Sequence, residues 1–162
     1  MMYWADWGAN PKIEQAGMDG SARRAIVTAN LVWPNGLTID RVTNRLFWTD
    51  AKLDKIEASD LNGGNRRLIM LSAANIHPYG LAVYLNMLYW TDWNTRSISR
   101  FNLSSGNWEI IVNGLQKPMD IHIVDQTLML SGTLNKLIKS FFISHARRCC
   151  FPTITVENKL SN

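Results

Sequence analysis

The residues best suited to acid–base or metal chemistry are His77, His122 and His145, and they fall in separate segments. No His-x-x-x-His pair joins them, so no metal-ligand spacing is formed. The sequence holds no G-x-S-x-G nucleophile elbow and no glycine-rich phosphate loop. Its two cysteines, Cys149 and Cys150, are adjacent near the C-terminus, where bridge geometry disfavours a bond between them. The chain is therefore read as a non-enzyme with no cofactor and no bound metal. What remains is the chemistry of recognition. Trp33, Asn35, Lys52, His77 and Trp93, with Trp7, Tyr79 and Asn94, pair aromatic rings with a few polar anchors. That is the composition of an interface hot spot. One covalent possibility stands apart: Asn102-Leu103-Ser104 is an N-x-[ST] glycosylation acceptor.

Those residues sit at fixed places in a repeat. Tyr3-Trp4-Ala5-Asp6, Phe47-Trp48-Thr49-Asp50 and Tyr89-Trp90-Thr91-Asp92 are one tetrapeptide recurring at intervals of 44 and 42 residues. A turn signal follows each at a matching offset: Met18-Asp19-Gly20, Leu61-Asn62-Gly63 and Leu103-Ser104-Ser105-Gly106. A third marker, Trp33-Pro34-Asn35-Gly36-Leu37, returns as His77-Pro78-Tyr79-Gly80-Leu81 and as Lys117-Pro118-Met119-Asp120-Ile121.

Each period predicts four short strands. In the second they fall over Leu37–Asp40, Arg45–Thr49, Lys55–Leu61 and Arg67–Leu71, separated by Val42-Thr43-Asn44 and Asn62-Gly63-Gly64-Asn65. Four antiparallel strands per repeat of this length describe a β-propeller blade, so the fold class is all-β. Within the tetrapeptide, the paired aromatic residues point to opposite faces of a strand and into different inter-blade layers. Tyr3, Trp4, Trp48, Tyr89 and Trp90 are thus expected to pack, and Asp6, Asp50 and Asp92 to fix turns by accepting hydrogen bonds. The first strand of a blade leaves the Pro-x-Gly end and the second returns to finish at Trp-Thr-Asp. One rim therefore gathers Trp33, Asn35, Lys52, His77 and Trp93. Two readings of that rim stay open: a partner-binding surface, or rings that close the top of the central channel.

The motifs resemble class B (YWTD) repeats of the low-density-lipoprotein-receptor-related family, which form six-bladed propellers. The stretches Met2–Gly8, Ile13–Gly20 and Trp33–Asp40 look most like the first propeller of the Wnt co-receptors. The resemblance covers residues 2 to about 124 and implies a partial propeller: about three four-stranded blades of six plus one closing inner strand, Met119–Val124. It implies an extracellular ligand-binding fragment of a single-pass plasma-membrane receptor that binds secreted Wnt ligands or their antagonists. By resemblance, Asn35 would meet the amide of an Asn-x-Ile ligand loop while Trp33, His77 and Trp93 pack beside it. An endocytic lipoprotein receptor and a laminin-binding basement-membrane protein are the alternatives.

The 162-residue chain carries a net charge of +4 and a pI near 9.3, which invites a nucleic-acid reading. Residues 1–124 hold 12 basic and 11 acidic side chains, whereas residues 125–162 hold five basic and two acidic ones. The charge thus lies outside the repeats. Arg23-Arg24 and Arg66-Arg67 recur at one place in two blades and read as a shared turn rather than a nucleic-acid stripe. Two domains are expected: a propeller part over 1–124 and a divergent basic tail over 125–162. Within the tail, Thr133–Ser144 has the spacing of an amphipathic helix. No stretch has the length and apolarity of a membrane span, and the N-terminus lacks a signal peptide; both fit a truncated receptor sequence.

Overall fold

A computed structural model describes residues 1–71 and 75–124. The expectations for Thr133–Ser144, Cys149-Cys150 and the 125–162 tail lie outside those residues. The described residues fold into eleven β-strands: β1 (Met2–Asp6), β2 (Lys12–Ala16), β3 (Arg24–Val27), β4 (Pro34–Asp40), β5 (Arg45–Asp50), β6 (Lys55–Asp60), β7 (Arg67–Leu71), β8 (Pro78–Tyr84), β9 (Met87–Asp92), β10 (Ser97–Asn102) and β11 (Trp108–Val112). They form three antiparallel sheets whose spatial order follows the chain: β1-β2-β3, β4-β5-β6-β7 and β8-β9-β10-β11. The fold is all-β, as the repeat demands.

Register repeats with the sequence. Pro34 pairs with Asp50 and Pro78 with Asp92, each followed by an irregularity before Leu37 or Leu81. Pairing between the last two strands of each sheet slips at Ile13/Glu14, Ile56/Glu57 and Ile98/Ser99, the same position in all three described sheets. Such a bulge bends and twists the outer edge. The first strand begins at Pro34 rather than Leu37, because Pro34 can still accept across the sheet although it has no N–H to donate.

The strand alternation of Phe47 and Trp48 builds two layers at once. Trp48 packs between the first and second sheets with Ile13, Val27 and Leu46, and Phe47 between the second and third with Ile56, Leu81 and Trp90. Trp48 and Trp90 are fully buried. Burying a side chain of this size stabilises by roughly 1.5–3 kcal/mol. Tyr89 faces a third cluster with Ile98 and Ile121.

The recurrent arginines belong to this packing. Arg23 forks onto Glu14 at 3.1 and 2.7 Å, and Arg66 onto Glu57 at 3.0 and 2.7 Å. Their guanidinium groups lie 5.4 Å above the Trp4 and Trp48 rings. In the third blade, Trp108 takes the place of the arginine and leans on Trp90 with ring centroids 6.0 Å apart, while Ser99 replaces the glutamate. A ring cap needs no carboxylate, so the acid is lost where the arginine is lost.

The expected closing strand differs in detail. Met119–Val124 lies against β8, where a Cβ on Gly80 would sit 2.5 Å from the Met119 carbonyl, but only Ile123 forms a bridge. A ladder would require a further strand of the β5 type beside it, and the described residues contain none. Asp6 differs too. It is exposed and pairs with Lys12 at 3.9 Å, whereas Asp50 draws donors from the segment leading into β4; no described strand flanks β1 on that side.

Candidate functional site

Asp50 builds the rim. Its fully buried carboxylate accepts the backbone N–H groups of Val32 at 2.8 Å and of Trp33, Lys52 and Leu53 at 3.1 Å. One acid thereby fixes both the segment carrying Trp33 and the turn carrying Lys52. Asp92 does the same in the next blade, accepting from His77 N at 3.0 Å and Thr95 N at 2.9 Å. The Ala51 and Trp93 N–H groups donate to the carbonyls of Trp33 and His77, closing each loop at the sheet end.

The side chains so placed form two groups. In the first, Trp33 is 41% exposed, stands 6.2 Å from Trp7, and has the Lys52 ammonium 5.4 Å from its ring centroid. In the second, Trp93 stacks on Tyr79 at 4.7 Å with planes 7° apart, lies 5.8 Å from His77, and has the Lys117 ammonium 5.4 Å from its ring. Trp93 also donates its indole N–H to the Pro118 carbonyl at 2.8 Å. The β5–β6 turn links the groups: Lys52 covers Trp33 while Asp54 pairs with His77 Nδ1 at 2.8 Å. Asn35 is half-buried in β4, and its amide has no side-chain hydrogen bond among the described residues. Asn94 is exposed beside Trp93.

Two members of this rim, Lys117 and Asp54, were not singled out by sequence reasoning. Lys117 precedes Pro118 as Trp33 and His77 precede their prolines, so the repeat alignment carried the signal. Asp54 had none, because its role depends on a left-handed backbone (φ 49°) in the turn. Asn102 lies at the far end of β10, away from the rim. Among the described residues no cluster of three His, Cys, Asp or Glu side chains could hold a metal ion, and no helix is long and apolar enough to cross a membrane.

The description "low-density lipoprotein receptor repeat class B" matches residues 1–41 and 44–85, just over half of the sequence. The chain belongs to that receptor repeat family. A vitellogenin receptor of Solenopsis invicta is 40% identical over 122 residues, covering 75% of this chain and 7% of the relative. The human low-density lipoprotein receptor-related protein 5-like protein is 44% identical over 70 residues, covering 43% of this chain and 28% of the relative. A chain in the crystal structure of a nidogen/laminin complex superimposes with a TM-score of 0.69 at 29% identity, over 75% of this chain and 48% of the other. This propeller sequence thus spans a small part of the curated relatives it matches.

Proposed function

We propose that the chain forms part of an extracellular ligand-binding propeller of a low-density-lipoprotein-receptor-related receptor, and that its rim contacts a secreted protein. The observation that supports this most is an exposed Trp33 covered by Lys52 on the same rim as Asn35, whose amide has no hydrogen-bond partner among the described residues. Asp50 and Asp92 fix the backbone that carries Trp33 and His77, so little main-chain freedom is lost on binding. The motif stretches favour a Wnt co-receptor role, in which a ligand loop of Asn-x-Ile type pairs its amide with Asn35. Trp33, His77 and Trp93 would then pack around the loop.

Two other ligands have a specific observation behind them. The match to a vitellogenin receptor favours a lipoprotein-type cargo taken up by endocytosis. The likeness to a chain of the nidogen/laminin complex favours a laminin-type matrix partner. One experiment separates the three. An intact propeller carrying these blades is tested for binding to Asn-x-Ile peptides of Wnt antagonists, to vitellogenin and to laminin, with Asn35→Ala and Trp33→Ala as variants. Selective peptide binding lost in both variants supports the Wnt reading. Unchanged binding of every ligand in both variants removes the rim as the contact.

A further inference from the structure

Asn102 ends β10 and opens the turn into β11. Its side-chain Oδ1 accepts the N–H groups of Ser104 at 2.9 Å and Ser105 at 3.0 Å. Its own N–H donates to the Asn107 carbonyl at 2.8 Å, and the Gly106 N–H donates to the Asn102 carbonyl at 2.9 Å. The amide is thereby oriented with its oxygen turned into the loop. Nδ2, the atom that N-glycosylation modifies, has no partner among the described residues. The hydroxyl that completes the acceptor motif, on Ser104, accepts from Asn86 Nδ2 at 2.7 Å at the surface.

Room exists around this turn that its counterpart lacks. In the second blade, a Cβ on Gly63 would lie 2.0 Å from the Ile26 carbonyl, so that turn is pressed against the preceding blade. Gly106, the left-handed glycine of the third-blade turn, has nothing within 4 Å among the described residues. Beside Asn102 opens a cleft of about 450 Å³ lined by Met87, Arg100, Ser105, Trp108 and Glu109. Trp108 is 37% exposed, and Arg100 and Glu109 are joined at 2.7 Å. An indole face beside charged donors and acceptors suits a pyranose, whose C–H face packs on the ring while its hydroxyl and acetamido groups hydrogen-bond.

We infer that Asn102 is an N-glycosylation site whose first sugar seats in this cleft against Trp108. The donor is a lipid-linked oligosaccharide diphosphate, used by a transferase of the secretory pathway. Nδ2 forms a bond to the anomeric carbon as the bond from that carbon to the diphosphate oxygen breaks. The lipid diphosphate leaves with the electron pair, and Nδ2 gives up one proton to the transferase. The linked amide keeps its second N–H, and Oδ1 stays free to hold the turn.

The inference uses the extracellular reading only for passage through the secretory pathway, and it involves no rim residue. The full chain, behind a cleavable secretory signal, is translated into microsomes and treated with peptide N-glycosidase. A single glycosidase-sensitive mobility step is expected, lost in Asn102→Gln and in Ser104→Ala. Absence of that step in the parent chain overturns the assignment, whatever the rim binds. For the seat, amide hydrogen exchange over 102–109 is compared between glycosylated chain and the same chain after glycosidase. Slower exchange with the glycan attached, abolished by Trp108→Ala while the mobility step persists, is expected. Equal exchange in the two forms overturns the seating against Trp108.

Discussion

The Thr49 hydroxyl donates to the Tyr79 carbonyl at 2.7 Å while accepting the Gly36 N–H at 2.9 Å. A single side chain therefore fills the gap left by the irregularity after Pro34 and ties the second blade to the inner strand of the third. Thr91 repeats the arrangement, accepting from Gly80 N and donating to the Met119 carbonyl. Threonine in the tetrapeptide is thus an inter-blade connector that also supports the rim.

Replacing Thr49 with the isosteric valine keeps the volume and removes both hydrogen bonds. Thr49 is fully buried, so the Gly36 N–H and the Tyr79 carbonyl are both left unsatisfied. A buried orphan group costs about 1–3 kcal/mol. Chemical denaturation of a propeller carrying Thr49→Val should show a loss in that range, and Thr49→Ser should recover most of it. A valine variant as stable as the parent would remove the connector role.

Gly36 is the other half of the same junction. A Cβ there would stand 2.4 Å from the Tyr79 carbonyl and 2.7 Å from the Leu81 nitrogen, both backbone atoms that cannot rotate away. Gly36→Ala must push the second and third blades apart. Its destabilisation should exceed that of Gly106→Ala, whose site is open although its φ of 74° carries a local penalty. Thermal melts of the two variants side by side test the order.

Besides their different caps, the two buried tryptophans differ at the indole nitrogen. Trp90 donates its indole N–H to Asp92 at 3.1 Å, whereas the Trp48 indole nitrogen has no acceptor among the described residues. Asp50 already accepts four backbone N–H groups, and a carboxylate offers about four lone-pair sites. Trp90→Phe leaves a carboxylate short of a donor, while Trp48→Phe removes an orphan donor along with ring volume. Trp90→Phe should therefore be the more damaging by roughly 1 kcal/mol or more, read by denaturant titration. Equal losses would show that ring volume alone matters.

Much of this was legible in the sequence because the repeat states its own register. Trp-Thr-Asp and Pro-x-Gly mark strand ends, and their antiparallel pairing puts Pro34 opposite Asp50. The rim at Trp33, Lys52, His77 and Trp93 followed from strand direction alone. The hidden part depends on side-chain reach. Nothing in the spacing says that Asp54 meets His77, that Lys117 covers Trp93, or that Trp108 replaces an arginine over a buried ring. Those contacts cross between repeats or lie outside the shared motif, where one-dimensional periodicity carries no information.

Acid should loosen the outer strands through Glu57. Burial pushes its carboxyl upward, but hydrogen bonds and charge from Arg66 and Lys55 together hold it below the ordinary value of 4.5. Lys55 stands 2.9 Å and Arg66 2.7 Å from the same carboxylate oxygen. A carboxyl depressed in the folded state contributes stability that is fully present above its unfolded value and is lost as pH falls through the folded one. Stability should therefore be flat near neutrality and decline once pH drops below about 4.5. Arg66 also donates to the Ala29 and Asn30 carbonyls, so protonating its partner weakens the junction to the first blade. Glu57→Gln should lower stability at neutral pH and flatten the acid limb of a stability–pH profile. An acid limb of unchanged slope in that variant would assign the pH response to other carboxyls.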